Sequence, residues 1–264
     1  MIKIKTQKQI EGIREASYLA AKCLNYLEPQ VFEGITTEEI NEYAAHYIEV
    51  RGGTSAPLNY KGFPKETCIS VNEVICHGIP DKRKLENGDI LNIDVTAIVD
   101  GYYGDTNKMY TVGEVSKEAQ DLIDITQECL NIGIAQVYPG NHFGNIGYAI
   151  GTFAMSAGYN VVYQFCGHGV GLEFHEEPNI PHISQKDTGE IMKPGMVFTI
   201  EPMICIKSPE AVINEADGWT ASTIDNGLSA QFEHTIAVTK DGYDILSLYK
   251  KKPKSKQVKF KFPP

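Results

Sequence analysis

Apolar residues recur first at helical spacing. Ile10, Ile13, Ala20, Leu24 and Leu27 share one face with Ser17, and Thr6 with Gln9 supplies a capping box ahead of them. Glu28-Pro29 ends this helix. Thr36 with Glu39 opens a second one through Ile40, Tyr43, Ala44, Tyr47 and Ile48, and Gly52-Gly53 stops it. The period then shortens to two. A strand is predicted over Ile90–Val99, a two-residue hairpin turn at Asp100-Gly101, and a return strand from Tyr102 to about Val112.

The order recurs. Ser116 caps a helix to about Ala135, Tyr138-Pro139-Gly140 breaks it, and Phe143–Ala157 reads as another helix with Gly158 as its stop. Strands are predicted at about Met196–Ile206, Trp219–Ile224 and Ser229–Val238, with Asp225-Asn226-Gly227 turning between the last two. Each half reads helix, helix, then antiparallel strands. This predicts one α+β domain over 1–249, with related halves of about 1–113 and 114–249 facing each other across one site. The alternation along the strands predicts sheets buried on one face.

Composition narrows the class. With 264 residues and 42% hydrophobic content, the chain can bury a large core. No run of apolar residues is long enough to span a membrane, and the N-terminus has no apolar stretch of a signal peptide. Six scattered cysteines without a CxxC pair fit a reducing compartment, so the cytoplasm is expected. Net charge is −10, but the Lys-rich tail 250–264 holds seven Lys and no acid. The tail reads either as a solvated terminal arm or as a transient electrostatic contact with ribosomal RNA.

Chemistry enters at the hairpin. If Val99 pairs with Tyr102, Thr96 lies opposite Asp105, and Asp94 becomes its diagonal neighbour on the same face, about 7–8 Å away at Cα. Leu91, Ile93, Val95, Ala97 and Val99 take the other face. Two like charges converging there need a shared proton, a basic partner or a cation, unless the face is open to solvent. The second half adds His168 in the Gly-rich stretch Cys166–Gly171. It also adds Glu201 and Glu233, each inside an otherwise apolar strand, where an acid demands a partner. Four carboxylates and one imidazole form an oxygen-rich set suited to Mn, Fe, Co or Zn. Two such metals about 3.5–4 Å apart can hold a hydroxide and polarise a carbonyl.

At these residues the chain resembles the type I methionine aminopeptidases. The matching segments run in order: the helical N-terminus, SAPLNYKGFPKETCISVNEVICHGIP, NIDVTAIVDGYYGDTNKMY, CGHGVGLEFHEEPNIP, FTIEPMI and DGWTASTIDNGLSAQFEHTI. The resemblance implies the pita-bread α+β fold and metal-dependent removal of N-terminal methionine from nascent proteins, preferring a small second residue. It implies that Asp94 binds one metal through both oxygens, that Asp105 and Glu233 bridge two divalent ions, and that His168 and Glu201 complete the second. Glu201 would also accept a proton. His77 would contact the scissile amide and His175 the carbonyl oxygen. Tyr60, Phe63, Cys68, Phe174 and Trp219 would form the methionine pocket. Asn72, Val74 and Ser229 match the family's monovalent-cation site for Na⁺ or K⁺. A monomer is expected.

Phe63 stands where a Tyr is frequent in that family, and Asn107-Lys108 replaces a commoner Ser-Arg pair; no ligand is altered. An aminopeptidase P or prolidase, a catalytically dead relative of the same fold and a nucleic-acid-binding module are the rival readings.

Overall fold

The computed structural model describes residues 1–249, so the expectation for the Lys-rich tail lies outside the described residues. Among the described residues four α-helices form: α1 (Gln7–Leu27), α2 (Thr37–Glu49), α3 (Lys117–Ala135) and α4 (Gly144–Ser156). The first half carries strands β1 (Thr54–Ser55), β2 (Cys68–Val71), β3 (Val74–Cys76), β4 (Ile90–Val99) and β5 (Tyr102–Thr111). The second carries β6 (Asn160–Val161), β7 (Gly167–Gly169), β8 (Glu176–Ile180), β9 (Val197–Ile200) and β10 (Met203–Cys205). After these come β11 (Ala211–Ile213), β12 (Ala221–Thr223), β13 (Ser229–Gln231), β14 (His234–Val238) and β15 (Tyr243–Ile245).

Local chemistry explains the helix starts. Thr6 and Thr36 each accept the N3 amide, and Gln9 and Glu39 reach back to the cap amides, so both predicted capping boxes form. Ser116 caps α3 through Ala119. Asp100 and Gly101 both adopt positive φ, as a tight hairpin turn requires. The predicted register holds: Val99 faces Tyr102 and Thr96 faces Asp105.

The apolar face of β4 packs under α1 and α2. Leu91, Ile93, Val95 and Ala97 join Leu24, Ile40 and Ile48 in one core. The approach is close where Gly104 meets α1: a Cβ there would lie 1.9 Å from the Ser17 amide nitrogen. A second core joins Leu122, Leu130, Ile146 and Ile150 of α3 and α4 to Phe198, Ile200 and Ile236.

Two expectations need correction. The strand predicted at Met196–Ile206 is two strands, β9 and β10, and the one at Ser229–Val238 is β13 and β14. β9 and β14 sit in a five-stranded sheet of order β15-β14-β9-β7-β8, whereas β10 and β13 sit in a three-stranded one with β6. Ile200 faces His234 and Met203 faces Gln231, so the register is the same on both sides of the interruption. The result is one antiparallel ribbon with a matched gap, Glu201-Pro202 opposite Phe232-Glu233. Proline has no amide to donate, which interrupts the ladder at that point. The strand predicted at Trp219–Ile224 shortens to β12.

The second correction concerns exposure. Alternation in β4 implies a wet polar face, but Asn92, Thr96 and Asp105 are buried. The ribbon covers them: Asn92 donates to the Gln231 carbonyl (2.8 Å), Thr106 to the Glu233 carbonyl (2.8 Å), and Thr235 to the Asp105 carbonyl (2.7 Å).

Candidate metal centre

Hairpin and ribbon meet at the floor of a cavity of about 740 Å³. Its lining includes Asp94, Asp105, His168, Glu201 and Glu233, so all five proposed ligands reach one space. Ligand atoms of Asp105, His168 and Glu233 lie within 4.8 Å of one another. The His168 Nε2 atom is 3.7 Å from both Asp105 Oδ2 and Glu201 Oε1. Its Nδ1 lies 3.0 Å from the Gly169 carbonyl, which can only accept. The ring proton therefore belongs on Nδ1, and the Nε2 lone pair faces the acids.

Neutral polar side chains support three of the four acids, mostly from a neighbouring strand. Thr96 donates to Asp105 Oδ1 (2.7 Å), and Asn107 donates to Glu233 Oε2 (3.0 Å). Thr199 donates to Glu201 Oε1 (2.6 Å) and accepts the His168 amide (3.0 Å), tying two candidate ligands together. Gln231 donates to Glu201 Oε2 at 3.1 Å. His182, fully inside the fold, accepts the Glu201 amide at 3.1 Å. The sequence signals Thr199 and Gln231 only by their i±2 spacing from an acid, and gives no signal for His182.

The electrostatics demand positive charge. Among the described residues, no Lys or Arg forms an ion pair with any of the four carboxylates. Burial pushes Asp94 well above the usual carboxylate range, and the charges of Asp105 and Glu201 push it further. Burial also raises Asp105 to about 7, against the Thr96 hydrogen bond, and Glu201 to about 8, against the Thr199 bond. Glu233 is pushed well up by burial and by the other three acids. The Asp94 Oδ1 oxygen is buried with no hydrogen-bond partner. Four crowded carboxylates, an orphaned oxygen and a neutral imidazole lone pair fit divalent cations.

Above the acids, the ring of His175 stacks on Tyr60 (centroids 5.1 Å apart) and lies 4.1 Å from that of His168. Burial, helped by His168 and His77, lowers His175 to about 3, so the ring is neutral. Phe174 packs on Tyr60 at 4.7 Å, and Phe63 meets Trp219 edge-on at 5.3 Å. His77 adopts a positive φ of 55° and sets its ring edge-on to Trp219 and Phe165. Tyr60, Phe63, Cys68, Phe174 and Trp219 all line the same cavity. Asn72, Val74 and Ser229 do not line it. They lie on adjacent segments where the Ser229 amide donates to the Asn72 carbonyl (2.9 Å) and the Asn72 side chain engages Asp89.

Comparison with known proteins identifies the family. The model of metallopeptidase family M24 matches residues 11–240. This chain belongs to that family. It is 52% identical over 248 residues to methionine aminopeptidase A of Synechocystis, covering 94% of this chain and 98% of that protein. The crystal structure of methionine aminopeptidase from Rickettsia prowazekii superposes with a TM-score of 0.93 at 47% identity, covering 94% of this chain and all of that one. Prolidase from Pyrococcus furiosus, at 24% identity and a TM-score of 0.75, shares the fold, covering 94% of this chain and 66% of its own. The M24 chain thus has the pita-bread fold, with antiparallel sheets enclosing the cavity and helices outside, as the resemblance implied.

Proposed function

We propose that this M24 metallopeptidase is a metal-dependent methionine aminopeptidase, acting on peptides and nascent chains that begin with methionine. The observation that carries this reading is the juxtaposition of acids and aromatics. Asp94, Asp105, His168, Glu201 and Glu233 converge beneath a pocket walled by Tyr60, Phe63, Phe174 and Trp219. A flexible thioether side chain suits such an aromatic pocket.

Two divalent cations held by the five residues would supply the positive charge that activates water and polarises the scissile carbonyl. Asp94 would serve one ion, His168 and Glu201 the other, and Asp105 and Glu233 would serve both. Glu201 would also accept the proton of the attacking water. The neutral His175 ring has one N–H, and donates it to the carbonyl oxygen as negative charge develops there. His77, which lines the same cavity, contacts the scissile amide. The aromatic pocket takes the methionine side chain, and a small second residue is preferred. Asn72, Val74 and Ser229 form a separate monovalent-cation site for Na⁺ or K⁺. The enzyme works as a cytoplasmic monomer, with the Lys-rich tail making a transient ribosome contact. No described helix is long and apolar enough to cross a membrane.

The test is hydrolysis of Met-Ala peptides with and without chelator, with Glu201→Ala as control. Cleavage should vanish with chelator, return with Mn²⁺ or Co²⁺, and be absent in the variant. Robust cleavage of Xaa-Pro substrates with none of Met-Ala would overturn the specificity.

A further inference from the structure

His175 stands on a short loop whose anchoring is unusual. The segment from Gly171 to Glu176 carries Phe174 and His175 over the acids, and turns back sharply: the Gly171 amide donates to the Glu173 carbonyl at 3.1 Å. Glu176 closes the turn. Its Oε1 oxygen accepts the amides of Leu172 (2.7 Å) and Glu173 (3.0 Å). Its Oε2 oxygen accepts the Lys5 ammonium at 3.0 Å, from the arm that precedes α1. Both side chains are shut away from solvent, at 0% exposure for Lys5 and 2% for Glu176. The arm is itself pinned, because the Lys5 amide donates to the Gly195 carbonyl at 2.8 Å.

A buried charge persists only when it is balanced and hydrogen-bonded. Glu176 is fully engaged in shaping the loop, so it needs a cation that the loop does not supply. Lys3 is 3.9 Å from Glu176 but spends its short contact, 2.6 Å, on the exposed Glu173. Lys5 is the buried counterion. Remove it, and the carboxylate must draw in water or a proton, and the turn it staples loosens. The ring next along the chain is His175, whose setting against Tyr60 and His168 depends on the loop path.

We propose that Lys5 is a positioning residue for the peptidase reaction, acting through Glu176 to hold the Phe174–His175 loop over the metal-binding acids. The proposal rests on the reading of His175 as the group that meets the scissile carbonyl. It places part of the control of catalysis in an arm more than 160 residues away along the chain, as the Lys5–Glu176 separation of 171 shows.

The experiment is a double-mutant cycle on the metal-loaded enzyme with a Met-Ala peptide. Lys5→Met should lower kcat about 10- to 100-fold, the scale of a misplacement near 1 Å, with KM nearly unchanged. Lys5→Arg should restore most of kcat, and Glu176→Gln should reproduce the loss. In a His175→Ala background, Lys5→Met should lower kcat no further while still lowering Tm, because the residue it positions is gone. The same factor lost in both backgrounds would overturn the proposal and leave Lys5 a stabilising residue only. A ¹⁵N-histidine spectrum supplies a readout independent of turnover. The His175 ring signals should shift in Lys5→Met and stay in place in Lys22→Met, and unmoved signals in Lys5→Met count against the proposal. A wild-type enzyme inactive on Met-Ala would instead sink the functional reading, with the ring signals still testing the role of Lys5.

Discussion

The β4–β5 hairpin and the β9–β10/β14–β13 ribbon are both antiparallel pairs, each brings two acids to the cavity, and they hold them in opposite ways. Asp94 and Asp105 sit on strands whose ladder register runs unbroken, although the Asp105 amide and carbonyl both meet the Thr235 hydroxyl. Only the direction of the side chains, fixed by the pleat, aims them at the site. Glu201 and Glu233 sit in a gap where the ladder stops. Their backbone groups find other partners: His182 for the Glu201 amide and the Asn107 carbonyl for that of Glu233, at 3.3 Å. A ladder positions an acid with local information. A gap positions one only when distant residues satisfy its backbone.

The largest expected effect breaks the comparison at its most costly point. Glu201→Ala and Asp105→Asn should each abolish Met-Ala hydrolysis, yet each should raise the melting temperature of the chelated protein. Each removes one of four crowded acids that only a cation balances. Calorimetry with and without chelator checks the sign, and a lower Tm for both chelated variants would mean that repulsion is not what the site stores.

The next effect separates the two modes of support. Thr199 and Thr96 each donate to one carboxylate, but Thr199 also accepts the His168 amide. Thr199→Val should weaken divalent-metal affinity by about 10- to 100-fold, the usual cost of disturbing a ligand's hydrogen-bonded support. Thr96→Val should cost less, because the hairpin still fixes Asp105. Competition with a fluorescent chelator ranks the two, and the reverse order would mean that the ladder contributes little.

The smallest effect is a slope. Asp105 and Glu201 have folded-state values of about 7 and 8, above those of an unfolded chain. The native state then holds more protons than the unfolded one, so stability falls as pH rises from about 4 towards 8. Burial lowers His168 to about 4 and His182 to about 3, which acts the other way but only below about 6.5, where an unfolded histidine titrates. Between about pH 6.5 and 8 the carboxylates act alone. The Tm of the metal-free protein should decline across that window and that of the metal-loaded protein should stay level.

The same contrast explains what the sequence made legible. Turn chemistry at Asp100-Gly101 and period-two alternation were enough to put Asp94 and Asp105 on one face in the correct register. The awkwardness of acids among apolar residues flags Glu201 and Glu233, although each predicted strand is two in the fold. Pro202 was the available clue to the gap, since a proline within a strand argues against a continuous ladder. Burial of the hairpin's polar face was not legible, because alternation reports one dry face and is silent on what docks against the other. Short strands such as β2, β3, β7 and β8 have too few residues for a period to emerge. His182 acts from its own place in the chain on the backbone of another segment, a relation that no spacing encodes.

The gap also bears on the order in which the molecule assembles. Asp94 and Asp105 become neighbours as soon as a two-residue turn closes, early and locally. The bonds that bring Glu233 and its strand to them span 126 to 130 residues, and such contacts wait for long-range closure. The mutual repulsion of all four acids is therefore expected to be felt late in folding. In metal-free protein, Glu233→Gln should slow unfolding and leave the folding rate almost unchanged, the signature of a group whose interactions form late. The acid cluster would then act as a spring compressed in the last step of folding, shortening the lifetime of the empty enzyme without delaying its birth.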